Sequence, residues 1–432
     1  MKVSPARVAA FDALFRIETE NVFSSVILPL LESKLSPNDR SLCHEITLGV
    51  LRRKIYLDRI IDQLVESRKL DVEVRIALQI GLFQMIFLDR VPAHSAINES
   101  VELVGRARKH SAKGFVNALL RTFQRQPFTP GFADDPDDIS VSTSHPRWIV
   151  ERWINQLGFD EARELCEANN RSPNLSFRLV GNVEELELSA RAISTIDDLK
   201  KSDLVDECFL VPRMSKTLSE LAEEGRVYFQ DEGSQLIGNA AIAEVGSRVI
   251  DVCPAPGGKT TMIAQNKASL VIAGDVVSSR VDRLRKTCDA HRAPHVFIVQ
   301  YDAEVSLPFE NETFDTVFVD APCSGTGTIR HNPEIRYSLS PDDIVELSRK
   351  QLRILKNASE LVKPGGTLVY STCSIEQEEN EAVSQSFLRG NLDFKLVSPN
   401  VPGRFITSDG FGRTFPHRDN VDGFFIAVFR RR

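Results

Sequence analysis

Apolar residues recur with helical periodicity along the first third of the chain. Val8, Phe11, Leu14 and Phe15 fall on one face of a helix that Ser4 is placed to cap and Pro5 to open. Leu28 adds apolar surface, and further periodic runs occupy 43–51, 56–65, 74–88, 97–106 and 115–123. Breaks are expected at Ser36-Pro37, Val91-Pro92 and Lys113-Gly114. This pattern predicts a helical bundle with its own core over residues 1–126. Residues 126–144 contain Pro127, Pro130, Gly131 and Pro136 and the acids Asp134, Asp135, Asp137 and Asp138, and read as a linker. Short pieces follow: helical at 146–157 and 160–168, strand-like at 175–180, helical at 190–196, strand-like at 208–212 and helical at 218–223. They predict a small α/β module over 145–226. From Gly246 the pattern becomes strand, turn, helix. Strands are expected at 248–253, 270–275, 296–301, 314–320 and 367–372, with a last strand-like run at 423–429. Such alternation predicts a doubly wound, mostly parallel sheet in a third domain, 227–432.

With 432 residues, 42% hydrophobic and 26% charged, the composition is that of a globular protein with room for several domains. No apolar run is long enough to span a bilayer, and the first residues lack a signal-peptide core, so a cytoplasmic protein without a membrane partner is expected. The seven cysteines are odd in number, widely spread and free of CxxC pairs, which argues against a disulfide framework and against a structural metal. The net charge of -7 is unevenly spread. Residues 1–125 hold 19 Lys+Arg against 14 Asp+Glu, a balance of +5, on an otherwise acidic chain. A basic segment suits a polyanion, although ordinary scatter of surface charge explains this count equally well.

The candidate chemistry sits at strand ends, where open α/β sheets bind their ligands. Asp251-Val252-Cys253-Pro254-Ala255-Pro256-Gly257-Gly258-Lys259-Thr260 is a glycine-containing turn leaving the first strand. It is not a P-loop, because position 253 is Cys rather than Gly, and no GxGxxG is present. Its backbone N–H groups at a helix start still suit an anionic group. Asp275 ends the next strand, where a carboxylate can accept from ribose hydroxyls. Asp302 ends the third, placed for an exocyclic amine, and Asp320 ends the fourth. Each alone is readily explained as a helix N-cap. As a set they suit a cofactor with hydroxyls, an adenine and a positive centre, and S-adenosyl-L-methionine fits better than NAD or ATP.

Two further strand ends carry thiols: Asp320-Ala321-Pro322-Cys323-Ser324-Gly325 and Ser371-Thr372-Cys373-Ser374. A thiolate is a strong nucleophile. Carbon 5 of a pyrimidine is too poor a nucleophile to take a methyl group unaided. Addition of a thiolate to carbon 6 makes carbon 5 reactive, and a second group must then assist elimination. Asp320 is placed to hold the ring's N3 and exocyclic amine. Cys43, Cys166, Cys208 and Cys288 read instead as small buried hydrophobes. A redox disulfide between Cys323 and Cys373 would be out of keeping with the expected compartment.

These two cysteine segments, with Thr326-Gly327 after the first and Tyr370 before the second, resemble the paired motifs of the RNA cytosine-5 methyltransferases. Asp251 to Thr260 is similar to that family's cofactor turn, and Phe229-Gln230-Asp231-Glu232-Gly233-Ser234-Gln235 to the segment entering its catalytic domain. The N-terminal bundle resembles a NusB-type RNA-binding domain. The joining of the two, through Ser144-His145-Pro146-Arg147-Trp148, is similar to the bacterial enzymes that modify RNA of the small ribosomal subunit. The resemblance implies an all-α NusB-like bundle, a small α/β module and a doubly wound Rossmann-like methyltransferase domain. It implies S-adenosyl-L-methionine as cofactor and a cytosine of 16S ribosomal RNA as substrate, with no metal and no oligomer required. It makes Cys373 the nucleophile and Cys323 the thiol that assists product release. Cys253, Pro254, Ala255, Pro256, Gly257, Gly258 and Lys259, with Asp275, Asp302 and Asp320, fall to the cofactor, Asp320 lying also beside the base. Two departures stand out: Pro254 where the family more often has alanine, and Tyr301 before Asp302 where glycine is common. The same chemistry on transfer RNA, and a non-catalytic RNA-binding assembly factor, are the rival readings.

Overall fold

The computed structural model describes residues 3–65, 69–130, 135–240, 246–265, 268–293 and 295–432. Gly131 and Asp134 of the expected linker lie outside them. The chain divides into two compact units, Met1–Arg171 with Ile329–Ser338, and Ser172–Thr328 with Leu339–Arg432. Among the described residues no helix is long and apolar enough to cross a membrane.

The first unit is helical. Its centre is Val72–Phe87, apolar on nearly all sides and buried over Val74 to Gln84 except Arg75. Pro5–Glu20, Pro37–Arg52, Ala93–Arg106 and Lys113–Arg125 pack against it. A side chain at Gly49 would run into the Phe83 ring, so glycine there permits the close crossing of Pro37–Arg52. Two expectations change, at Ser4 and in the linker. Ser4 does sit at the cap position but forms no side-chain cap bond, because its hydroxyl is drawn 2.7 Å to Glu99 beside the buried Arg7. Ser24–Glu32 is a helix despite Pro29. Part of the expected linker is the helix Pro136–Thr143, where Asp135 caps the N–H groups of Asp137 and Asp138; these three acids form a helix start.

Arg147–Leu157 and Phe159–Ala168 belong to this unit too, as does Ile329–Ser338, although the sequence places the latter within 227–432. Arg336 is fully buried and donates to the carbonyls of Thr143 and Ser144 and to Asn170 Oδ1. The Tyr337 hydroxyl donates to Leu51 O at 2.7 Å, and Arg52 donates to Arg330 O at 3.0 Å.

The second unit holds two sheets. The smaller comprises β1 (Leu175–Leu179), β2 (Lys200–Lys201), β3 (Cys208–Val211) and β4 (Val227–Phe229), antiparallel in the order β2-β3-β1-β4. Helices Val183–Ile193 and Lys216–Glu223 complete a core around Phe177, Ile193, Val211 and Leu218. The larger sheet comprises β5 (Arg248–Asp251), β6 (Leu270–Asp275), β7 (Val296–Gln300), β8 (Phe314–Asp320), β9 (Val362–Thr372), β10 (Phe394–Val397), β11 (Gly412–Arg413) and β12 (Phe425–Arg431). Its order is β10-β12-β9-β8-β5-β6-β7, with β11 beside β12. The run from β9 to β7 is parallel, while β10, β11 and β12 are antiparallel additions. β9 begins five residues before the expected 367. The strand passes through Lys363-Pro364-Gly365-Gly366 with an irregular register opposite Phe314 to Thr316. The β5, β8 and β9 carboxyl ends are adjacent in register: Asp251 pairs with Phe318, and Asp320 with Ser371.

Candidate active site

β5 is short and apolar and delivers Asp251 to the sheet's carboxyl edge fully buried. Asp251 Oδ2 accepts from Thr260 Oγ1 at 2.7 Å, whereas Oδ1 meets no hydrogen-bond donor. Burial, with Asp320 adding to it, pushes its pKa up to about 7. The turn then runs through Cys253, Pro254, Ala255 and Pro256 to Gly257 and Gly258. Gly257 has φ +112°, a conformation that favours glycine, and any side chain there would press on Leu284. At Gly258 it would strike the Tyr228 ring. Helix Gly258–Gln265 begins at this point. Burial holds the Cys253 thiol well above its ordinary pKa, so it stays neutral.

Asp275 ends β6 nearly buried, its Oδ1 accepting from Val277 N–H at 3.0 Å. Asp302 follows β7 and is exposed, with Oδ1 closing its own turn on Glu304 N–H. The neighbouring Tyr301 is buried, and its hydroxyl reaches Asp251 O at 3.3 Å. Gly274 makes room for it: a side chain there would come within 2.4 Å of the Tyr301 ring.

Asp320 is already partnered. Lys259 Nζ lies 2.6 Å from Oδ2, and Ser371 Oγ donates to Oδ1 at 2.8 Å. Burial opposes the Lys259 charge, but Asp320 outweighs it and holds the pKa above the ordinary lysine value. The ammonium is also near enough to Cys373 for the two charges to interact. The Lys259 side chain, expected only as part of the turn's backbone, thus joins the turn to the β8 end.

Cys323 and Cys373, fifty residues apart, meet with sulfurs 3.2 Å apart, both half-buried. The hydrogen bond to Cys373 and then burial push the Cys323 thiol well above its ordinary pKa. Backbone bonds tie the loops together: Ala321 N–H to Ser371 O at 2.9 Å and Gly327 N–H to Cys373 O at 3.0 Å. Cys43, Cys166, Cys208 and Cys288 are all buried.

Two site-building residues were not legible in the sequence. Arg178 on β1 is buried and donates to Thr261 Oγ1 at 2.6 Å, Gln265 Oε1 at 2.9 Å and Gly258 O at 3.3 Å. It lies over the Tyr228 ring, and burial lowers its pKa to about 10, still charged at neutral pH. Arg178 therefore clamps the small sheet to the helix that begins in the cofactor turn. Glu379 stands in an acidic run that reads as solvated, yet it is fully buried behind the thiols.

The residues fit S-adenosylmethionine: a helix that starts in the turn, a nearly buried strand-end carboxylate, and an unsatisfied buried oxygen on Asp251 close to the turn.

The chain is similar to known proteins along its whole length. A family model for 16S rRNA methyltransferase RsmB/F matches residues 242–430, the NusB family model matches 4–125, and a ferredoxin-like domain of RsmF/B-like methyltransferases matches 145–184. A probable ribosomal RNA small subunit methyltransferase B of Bacillus subtilis (strain 168) is 32% identical over 448 residues, covering 100% of both chains. Ribosomal RNA small subunit methyltransferase B of Klebsiella pneumoniae (strain 342) is 32% identical over 99% of this chain and 98% of its own. The crystal structure of PH0851 matches 100% of both chains with a TM-score of 0.84 and 26% identity. A methyltransferase homologue from Pyrococcus horikoshii matches 68% of this chain and 98% of its own, with a TM-score of 0.57 and 27% identity. The thiol pair, the turn and the full-length similarity agree, and this chain belongs to the ribosomal RNA small subunit methyltransferase B family.

Proposed function

We propose that this protein uses S-adenosylmethionine to methylate carbon 5 of a cytosine in 16S ribosomal RNA through a covalent bond between Cys373 and carbon 6. The observation that carries the reading is the pair of thiols 3.2 Å apart beside the cofactor turn. S-adenosylmethionine supplies an electrophilic methyl group when bound. The turn 253–259 and Asp275 would hold it, and Asp302, exposed at the next strand end, would meet its adenine edge. Cys373 loses its proton and adds to carbon 6, which makes carbon 5 nucleophilic. Lys259 places a positive charge near that sulfur. Cys323 keeps its proton in the resting site. After methyl transfer Cys323, having released its own proton to solvent, takes the carbon-5 proton, and the electron pair of that C–H bond expels Cys373 from carbon 6 as a thiolate. Asp320 holds Lys259 and Ser371 and retains lone pairs for the base. The target nucleotide must leave its stack to reach the thiols. The NusB-like helices would bind flanking RNA through phosphates and shape.

The test incubates Cys373→Ala, Cys323→Ala and the double variant with 16S RNA and S-adenosylmethionine, then runs a denaturing gel. Cys323→Ala should trap a cofactor-dependent RNA adduct that the double variant lacks, and Cys373→Ala should neither trap nor methylate. An adduct with Cys373→Ala alone would reverse the roles, and full activity in both would refute the thiol mechanism. Methylation of transfer RNA transcripts with indifference to 16S RNA would favour the first rival, and RNA binding without methyl transfer the second.

A further inference from the structure

We infer that Glu379 is a positioning residue that holds the Cys323 and Cys373 loops at the separation their two-step chemistry needs. The inference rests on the thiol reading above and deepens it. Glu379 follows Cys373 by six residues and is fully buried. Its Oε1 accepts from Ser324 N–H at 2.9 Å and from Gln351 Nε2 at 2.8 Å. Its Oε2 accepts from both Ser324 Oγ and Ser374 Oγ. Ser324 directly follows Cys323, and Ser374 directly follows Cys373. One carboxylate therefore grips the residue after each thiol.

The same Gln351 amide also donates to Pro322 O at 3.0 Å, so Cys323 is held from both sides. Asn380 does the equivalent for Cys373: Thr372 Oγ1 donates to its Oδ1 at 2.6 Å, and its Nδ2 donates to Ser374 O at 2.8 Å. Gln351 and Asn380 each brace one loop, and Glu379 bridges the two.

A carboxylate is well suited to this place. Its two oxygens offer about four acceptor sites, and four donors fill them here. None of these donors is an ammonium or guanidinium. Burial raises the Glu379 pKa, and the hydrogen bonds from Ser324, Ser374 and Gln351 oppose that rise. A buried carboxylate held by neutral donors is costly to retain. What it provides is geometry: each donor points along a defined direction from groups fixed to the two sulfur-bearing loops. Hydrophobic packing at the same position would fill the space without fixing the loops' relative register.

The test uses the full chain with Glu379→Ala, Glu379→Gln and Ser324→Ala combined with Ser374→Ala. The first readout is independent of RNA chemistry: the rate at which diamide, which takes up the two electrons and two protons released by the thiols, links Cys323 to Cys373, followed by peptide mass spectrometry. The second is methyl transfer to 16S RNA, resolved into kcat and the KM for S-adenosylmethionine. Glu379→Ala should slow both the linking and kcat by roughly 10- to 100-fold, with that KM changed less than about threefold, because misplacement rather than lost binding is the cause. Glu379→Gln should recover most of the loss, since its amide can donate to the serine hydroxyls, which turn to accept. The double serine variant should behave like Glu379→Ala while keeping the carboxylate, which covers the case in which Glu379→Ala does not fold. Wild-type linking rate and kcat in a folded Glu379→Ala or in the double serine variant would overturn the inference. So would a loss confined to KM. If the wild-type protein transfers no methyl group to RNA, the proposed function fails, and the linking rates still decide the role of Glu379.

Discussion

Replacing Asp251 by asparagine should reverse the order of stability of the two proteins between acidic and alkaline pH. Asp251 is fully buried at the end of β5, with one oxygen held by Thr260 and the other without a donor. Burial is the main reason its pKa stands at about 7 rather than the ordinary 3.8. The folded protein thus holds this proton more tightly than the unfolded chain does. Stability from the protonated group is fully present below about pH 3, declines as pH rises past the ordinary 3.8, and levels off above about pH 8. At ~1.4 kcal/mol for each tenfold change in proton affinity, the decline totals ~4 kcal/mol. Asparagine cannot ionise and escapes it, but its buried amide lacks an acceptor at the Oδ1 position, a constant cost of ~1–3 kcal/mol. Wild type should therefore be the more stable protein at about pH 3, and the variant should exceed it at about pH 8. Both tryptophans, Trp148 and Trp153, lie in the helical unit and would miss this transition. Guanidinium unfolding followed by far-UV circular dichroism, with peptide-resolved hydrogen exchange to identify the step that opens β5, would read it. A stability difference that stays constant across the range would show that Asp251 is ionised in the fold and refute the reasoning.

Lys259→Met should destabilise the second unit by ~2–3 kcal/mol, below the full cost of breaking a buried pair because Asp320 keeps partial contact with water. Adding Asp320→Asn should recover most of that loss in a denaturation series, and no recovery would mean the pair is not coupled. Asp275→Ala should weaken S-adenosylmethionine binding by ~1–3 kcal/mol in calorimetry while sparing RNA affinity, and unchanged cofactor affinity would remove its assignment. Arg178→Met should raise the KM for S-adenosylmethionine several-fold, because Thr261, Gln265 and Gly258 lose a shared donor at the start of the turn's helix; an unaltered KM would limit Arg178 to a structural part. Deleting residues 1–125 should lower RNA affinity, with a weaker salt dependence if phosphates are contacted, and should also lower Tm, since Arg330 and Tyr337 lose their partners Arg52 and Leu51. A fragment equal to the full chain in RNA binding and Tm would contradict both expectations.

Much of this protein was readable from local pattern. The bounds of β6 and β8 coincide with the apolar runs that predict them, because a buried parallel strand needs an unbroken apolar stretch and ends where the chain turns polar. The placement of Cys323 and Cys373 after neighbouring strands followed from the same rule. Local pattern was silent where a side chain's partner is distant. Ser4 reads as a cap, and Glu99 takes its hydroxyl instead. Asp320 stands at a strand end in the sequence, and its contacts with Lys259 and Ser371 appear only in the fold. Ile329–Ser338 follows the Cys323 loop in sequence and groups with the helical unit. Arg178 and Glu379 look like ordinary surface charges. The sequence by itself determined the order of elements, the strand-end positions of the reactive groups and the chemistry those groups can perform, since backbone periodicity and residue type are local properties. Only the tertiary structure decided which charges are buried and what neutralises them. Arg178 meets Gln265 across 87 residues and Ser324 meets Glu379 across 55, and such pairings depend on how whole elements pack, which no local pattern encodes.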